Sequence, residues 1–203
     1  MDFKPGENPY VTRGGLKLEY AIEDLGVDVC GLTAADFGCH IGGFTHCLLE
    51  LGAQKVYAVD TGYGILDWGL RVQPAVEVME RTNAMHVELP EKVDVITIDV
   101  GWTCQRYILP SALKNIKPDG IILSLFKPQY EADDDYVHEG VVSEEDFDGV
   151  LERALEELEE MGIHVAEKVK LPHPRKTKNP EAILLIRPGD CDLDPGAVPG
   201  GAQ

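Results

Sequence analysis

The sequence predicts an α/β fold: a mostly parallel sheet with helices on both faces and an antiparallel hairpin at one edge. Three observations carry that expectation. Short apolar runs bounded by turn residues alternate with segments of helical period along most of the chain. Most of those runs are continuously apolar, as strands covered on both faces are. The last two are joined by Pro172 to Pro180 alone, a connection too short for a crossover helix, so they pair antiparallel.

Taken in order, Leu16, Tyr20, Ile22 and Leu25 recur at near-helical spacing up to Gly26, which predicts a helix from about Gly15 to Leu25. Leu32 to Cys39 follows as a buried strand and Gly42 to Gly52 as a helix closed by glycine. Further strands are expected at Lys55–Asp60, Ala75–Glu80, Val93–Val100 and Gly120–Lys127, with helices at Tyr107–Ile116 and Glu144–Gly162. The closing hairpin takes His164–Leu171 and Ala182–Arg187. Residues 1–188 fit one domain, since a domain takes on the order of 150 residues. The remainder, 189–203, is rich in Gly, Pro and Asp and is expected to be disordered.

Composition narrows the function classes. Hydrophobic residues make up 44% of the chain, as in globular proteins, and no apolar run approaches the roughly 20 residues a spanning helix needs. The first residues, MDFKPGENPY, have no basic or apolar signal region, so the expectation is a soluble cytoplasmic protein. Five cysteines, odd in number and without a C-x-x-C pair, read as reduced thiols, and no metal site is expected. The net charge of −18 argues against a polyanionic partner, yet the excess is local. Residues 131 to 160 hold 14 acids against Arg153 alone, while Val165 to Pro188 carries Lys168, Lys170, Arg175, Lys176, Lys178 and Arg187 against two acids. An acidic run of this kind reads first as a solvated helix face and second as a docking site for a basic partner.

In an open parallel sheet, ligands bind beyond the carboxyl ends of the strands. The first strand runs into Asp36-Phe37-Gly38-Cys39-His40-Ile41-Gly42-Gly43, where glycines let a backbone approach a ligand and a helix begins. The spacing is not the dinucleotide G-x-G-x-x-G, and a glycine turn alone suits a tight connection equally well. Asp60, an acid ending the second strand 24 residues after Asp36, adds the group that would bind a ribose diol. Asp99 and Lys127 end the fourth and fifth strands at the same edge. A structural ion pair is the competing reading, but desolvation often cancels the Coulomb gain of such pairs. Lys17 on the first helix and Glu181 before the last strand are the candidates to complete a four-residue cluster, which spacing alone does not bring together.

Several strings resemble a known family. They are Thr12-Arg13-Gly14-Gly15-Leu16-Lys17-Leu18, Gly42-Gly43-Phe44-Thr45, Val56-Tyr57-Ala58-Val59-Asp60, Gly62-Tyr63-Gly64 with Leu66-Asp67-Trp68, and Met79-Glu80-Arg81-Thr82-Asn83-Ala84. Thr97-Ile98-Asp99-Val100 and Lys127-Pro128-Gln129-Tyr130-Glu131 complete the set. In this order they resemble the catalytic domain of the TlyA, or haemolysin A, branch of FtsJ-like ribosomal RNA methyltransferases, over roughly Tyr10 to Arg187. The resemblance implies a Rossmann-like, seven-stranded methyltransferase sheet with its last strand antiparallel, and S-adenosylmethionine as cofactor. It implies a cofactor site built from Asp36, Gly38, His40, Gly42, Gly43, Phe44, Asp60, Thr82, Asn83 and Asp99. It places the family's Lys-Asp-Lys-Glu tetrad on Lys17, Asp99, Lys127 and Glu181.

The reaction so implied moves a methyl group to a ribose 2'-hydroxyl of ribosomal RNA. A hydroxyl is a weak nucleophile that must lose its proton as the bond forms, and Lys127 is the candidate base, with Asp99 and Glu181 orienting the amines. Three departures stand out. Members of the branch carry a small RNA-binding domain before the catalytic one, whereas about ten residues precede Val11 here, which leaves RNA to Arg13, Lys17 and the Arg175 to Lys178 loop, or to a separate RNA-binding subunit. Cys39-His40-Ile41 replaces small hydroxyl residues, and Gly101-Trp102 replaces serine and phenylalanine. The competing functions are a cofactor-binding regulatory or scaffold protein and a methyltransferase for a substrate other than RNA.

Overall fold

A computed structural model describes residues 8–172 and 178–192 of the chain. Its sheet has seven strands in the order β3-β2-β1-β4-β5-β7-β6. In chain order the elements are α1 (Arg13–Leu25), β1 (Thr33–Phe37), α2 (Gly43–Glu50), β2 (Lys55–Val59), α3 (Trp68–Arg71) and β3 (Val76–Met79). Then come β4 (Val93–Ile98), α4 (Gln105–Asn115), β5 (Ile116–Phe126), α5 (Glu144–Glu160), β6 (Val165–Lys170) and β7 (Ala182–Ile186). β1 to β5 pair in parallel, and β7 is antiparallel to both β5 and β6.

Local chemistry sets the helix limits. The Thr12 hydroxyl accepts from the Gly14 N–H at the start of α1, and Gly26 ends it in the left-handed conformation at φ 63°. Ser143 caps α5, whose first turn holds Glu144, Glu145 and Asp146, where carboxylates complement the helix dipole. Much of the acidic run is thus the outer face of one helix, whose inner face buries Phe147, Val150, Leu151, Ala154 and Leu158.

Alternate residues of the central strands face opposite layers. Ala35, Phe37, Ile96, Ile98 and Leu184 pack with Ile108, Leu109 and Ala112 of α4 and Phe147 of α5. Ala34, Val56, Val95, Leu123 and Ile183 pack with Leu18 and Ala21 of α1 and Cys47 and Leu48 of α2. Fully burying each such large side chain contributes about 1.5–3 kcal/mol. Both faces are covered, as the continuous apolar runs required.

Two details differ from expectation. β5 begins at Ile116, not Gly120, because Ile116 is buried opposite Val93 and Lys117 bonds to Asp94. Pro118 is accommodated because the register shifts between Val93 and Val95, and a bulge asks no ladder hydrogen bond of proline. The hairpin closes one edge of the sheet as expected, with β7 inside against β5 and β6 outermost. The short helix α3, capped by the Asp67 side chain on the Gly69 N–H, was not expected. Beyond β7, Pro188–Asp190 form a single 3-10 turn and the Asp192 N–H donates to Gly162, while residues 193–203 lie outside the described ones. Among the described residues no helix is long and apolar enough to cross a membrane.

Candidate active site

The carboxyl ends of β1, β2, β4 and β5 meet in one cavity. As β1 ends, the Gly38 and Cys39 N–H groups both donate to the Val59 carbonyl, at 2.8 and 3.1 Å, which turns the chain sharply toward α2. Gly38 has φ +84°, and a Cβ there would sit 2.8 Å from the Asp99 carbonyl oxygen, so only glycine lets this turn lie against the end of β4. The Asp60 carboxylate takes one backbone donor on each oxygen, from His40 N at 2.9 Å and Gly62 N at 2.7 Å. A carboxylate has about four acceptor positions, so two remain for a ligand.

Two ion pairs form the opposite wall. Lys127 Nζ lies 2.5 Å from Asp99 Oδ1 and donates to the Val100 carbonyl at 3.0 Å. Lys17 Nζ lies 2.5 Å from Glu181 Oε2. Glu181 reaches this edge because β7 runs antiparallel, so the residue entering it stands beside the residues leaving β5. All four side chains line a single cavity of about 580 Å³, together with Gly38, His40, Asp60, Thr82 and Asn83. Lys127 is only 15% exposed, the most enclosed of the four. Among the described residues no group of three or more His, Cys, Asp or Glu side chains is arranged to hold a metal ion.

Not every expected cofactor residue is there. Gly43 and Phe44 line a smaller cleft beside the cavity, of about 50 Å³, which shares Gly38, His40 and Asp99 with it. Gly42 lines neither space: at φ +105° it opens α2, and it lies so close to Leu70 of α3 that a Cβ would be 2.4 Å from that side chain. Asp36 is fully buried beneath the turn. It accepts from Thr45 N at 2.9 Å, Thr45 Oγ1 at 2.7 Å and Thr97 Oγ1 at 3.2 Å, and so ties β1 to α2 and β4 beneath the cavity, which it does not line. Burial pushes its carboxyl up to about 7, against the pull of the threonine hydrogen bonds.

Of the basic residues expected to meet RNA, Arg13 and Lys178 are exposed, Lys17 sits in the tetrad, and Arg175 and Lys176 lie outside the described residues. The acidic segment is close by: Asn179 accepts from the Val142 N–H and donates to Gly140 O, and Lys170 pairs with Glu144.

Comparison with known proteins places this chain in a family. The model of the FtsJ-like methyltransferase family matches residues 10–188. The chain belongs to the FtsJ-like methyltransferases. The 16S/23S rRNA (cytidine-2'-O)-methyltransferase TlyA of Mycobacterium tuberculosis is 35% identical over 191 residues, 89% of this chain and 69% of that protein. YqxC of Bacillus subtilis is 43% identical over 130 residues, 61% of this chain, and the match spans 45% of that protein, less than half its length. A solved Streptococcus thermophilus protein described as a hemolysin superposes with a TM-score of 0.86 at 32% identity, covering 95% of this chain and 73% of that one.

Sequence reasoning assigned no role to several residues that line the cavity of this FtsJ-like chain: Val100, Gly101, Thr103, Gln129 and Tyr130. Val100, Gln129 and Tyr130 stand within the resembling strings, and all five residues directly follow β4 or β5. Trp102, at φ 59° and 91% exposed, stands at the rim with its ring 5.3 Å from that of Tyr130. The loops holding these residues are stapled together: Glu131 Oε1 accepts from Gln105 N at 2.8 Å, and Cys104 Sγ donates to the Tyr130 carbonyl at 2.8 Å.

Burial pushes the Glu131 carboxyl up to about 7, opposed by the Gln105 backbone donor and Arg106. Because the folded pKa is raised, the native state holds this proton more tightly than the unfolded chain does. The contribution is therefore complete below about pH 4.5 and is lost as pH rises through about 7, by up to roughly 3 kcal/mol. Glu131→Gln keeps an acceptor for Gln105 N and cannot ionise. Thermal unfolding from pH 5 to 8 is expected to show the variant gaining stability relative to the parent as pH rises; a constant difference would remove Glu131 from the account.

Proposed function

We propose that this chain transfers a methyl group from S-adenosylmethionine to a ribose 2'-hydroxyl of ribosomal RNA, in the cytoplasm. The observation that carries the reading is the convergence of Lys17, Asp99, Lys127 and Glu181, from four distant parts of the chain, on one cavity. The rRNA 2'-O-methyltransferase activity named for its M. tuberculosis relative supports it.

The residues present fit the cofactor. Asp60 faces the cavity with spare acceptor positions for a ribose diol, Gly38 lets the turn beneath it lie against the end of β4, and Thr82 and Asn83, which also line the cavity, would take the adenine. When bound, S-adenosylmethionine supplies an electrophilic methyl on a sulfonium. The rest falls to the chain. Lys127 Nζ, held by Asp99 Oδ1 and the Val100 carbonyl, is the group placed to take up the hydroxyl proton as the new bond to the methyl forms and the methyl–sulfur bond breaks. Lys17 and Glu181 fix the opposite side of the acceptor pocket, so that much of the acceleration comes from alignment. Trp102 and Tyr130 offer an aromatic face at the mouth on which an unstacked base can lie. RNA approaches from the side of Arg13, Lys17 and Lys178, alone or with a separate RNA-binding subunit.

Incubation with methyl-labelled cofactor and ribosomal subunits or total RNA tests the reading. 2'-O-methyl nucleotides in the RNA are the expected product. Label in protein or small molecules would replace RNA as the substrate, and no label anywhere would leave a cofactor-binding scaffold.

A further inference from the structure

We infer that Gln105 and Glu131, neither of which lines the cavity, are positioning residues for the transfer step: together they clamp Lys127 at the distance from Asp99 that the reaction needs. The inference rests on the reading of Lys127 as the proton acceptor. Its starting point is where the sheet stops holding that residue. The ladder between β4 and β5 ends at the pair Ile98 and Ser124, and that between β5 and β7 at Phe126 and Ala182. Asp99 is still fixed from the β1 side, its N–H donating to the Phe37 carbonyl at 2.9 Å. Lys127 stands beyond the last register pair on both sides of β5.

A second set of bonds takes over there, and it converges on the start of α4. The buried Gln105 side chain accepts from Ser124 Oγ at 2.5 Å and donates from Nε2 to the Leu125 carbonyl at 3.1 Å, which holds β5 just before Lys127. The Gln105 N–H donates to Glu131 Oε1, and Cys104 Sγ to the Tyr130 carbonyl, which holds the turn Pro128–Tyr130 just after it. One residue of α4 is thus bonded on both sides of Lys127. Glu131 also serves as the helix cap. Cys104, at the N-cap, makes no side-chain bond to the first turn, so a carboxylate from another loop satisfies an N–H there and meets the positive end of the helix.

The clamp reaches the cavity through the segment from Asp99 to Gln105. That segment supplies both acceptors of Lys127 Nζ, Asp99 Oδ1 and the Val100 carbonyl. The Thr103 hydroxyl bonds back within it, to the Gly101 carbonyl at 3.2 Å. The separation of Lys127 from its acceptors is therefore set where the segment ends, at Gln105 and its partners. Removing the Glu131 acceptor releases the turn after Lys127 and uncaps α4 at once. A shift of about 1 Å at a reacting group costs on the order of 100-fold in rate. Asp60, Thr82 and Asn83, expected to hold the cofactor, make no contact with the clamp and stay in place.

The test uses the full chain with S-adenosylmethionine and ribosomal RNA, each variant assayed at a temperature where circular dichroism shows it folded. Glu131→Ala is expected to lower the single-turnover rate of 2'-O-methyl transfer by at least about tenfold, with KM for RNA and cofactor affinity by calorimetry within about twofold of the parent. Glu131→Gln keeps an oxygen for the Gln105 N–H and is expected to transfer within about threefold of the parent rate. A merely structural role would lower the unfolding temperature of Glu131→Ala and leave the rate of the folded protein unchanged. Ser124→Ala removes the hydroxyl bonded to Gln105 and is expected to slow transfer by at least about fivefold; it decides the question alone if Glu131→Ala does not fold. A smaller loss of rate in the deciding variant, a matching loss of cofactor affinity, or a Glu131→Gln protein as slow as Glu131→Ala would each overturn the assignment. Absence of any 2'-O-methyl in RNA with the parent is a different failure, that of the RNA reading itself, and is seen before any variant is made.

Discussion

Replacing Lys127 with alanine is expected to lower methyl transfer to RNA by at least about 1000-fold while S-adenosylmethionine still binds within a few-fold of the parent affinity. Lys127 is the most enclosed member of the tetrad and is held by two acceptors, Asp99 Oδ1 and the Val100 carbonyl. Removing the amine deletes the proposed proton acceptor and leaves Asp99 without its cation. Asp99 is 28% exposed, so water can solvate the abandoned carboxylate and the fold should survive. The residues expected to hold the cofactor, Asp60, Thr82 and Asn83, lie on the other wall and are untouched. Single-turnover transfer and equilibrium cofactor binding, measured on the same preparation, separate the two effects. Transfer at a comparable rate by the alanine variant would take Lys127 out of the chemistry. A parallel loss of both quantities would make it a binding residue instead.

The second large effect belongs to Gly38. Gly38→Ala is expected to destabilise the fold by about 2–4 kcal/mol and to suppress transfer as well. The new Cβ would sit 2.8 Å from the Asp99 carbonyl oxygen, 3.0 Å from its carbon and 3.1 Å from Val100 Cα, all backbone atoms of the strand end that carries the tetrad aspartate. Relief requires moving that strand end, and with it the Asp99–Lys127 pair. Gly26→Ala is the control: φ is similar at +63°, yet nothing lies within 4 Å of the added carbon. That variant should pay only the left-handed backbone penalty, on the order of 1 kcal/mol. Chemical denaturation of the two proteins isolates the clash. Equal stability losses would mean that the glycine turn and the end of β4 are not in the close contact described.

How far the sequence could be read depended on the range of the interaction involved. Alternation of apolar runs with helical periods is local, and it correctly marked all seven strands, the two covered faces and the reversed last strand. The identity of strand-ending residues is also local, so Asp60, Asp99 and Lys127 were visible as candidates. What pairing adds was not visible. The start of β5 is set by Val93 and Asp94 on a neighbouring strand, and the interior place of β7 by its contact with β5. Asp36 has the composition of a ligand residue, but Thr45 and Thr97 enclose it, and only their hydroxyls reveal its structural use. Gln129 was visible only as part of a resembling string, because an unpaired side-chain oxygen such as its own exists only once everything around it is packed.

The placement of β7 carries a consequence for biosynthesis. β5 finds one neighbour in β4, made before it, but its other neighbour is the last strand to be synthesised. While a ribosome is still adding residues 127 to 181, β5 is an open edge with unpaired amides, and one quarter of the proposed catalytic cluster does not yet exist. Translation therefore completes the sheet and the proposed catalytic cluster in a single late event, and a nascent chain stalled before Glu181 lacks both the second neighbour of β5 and one member of that cluster.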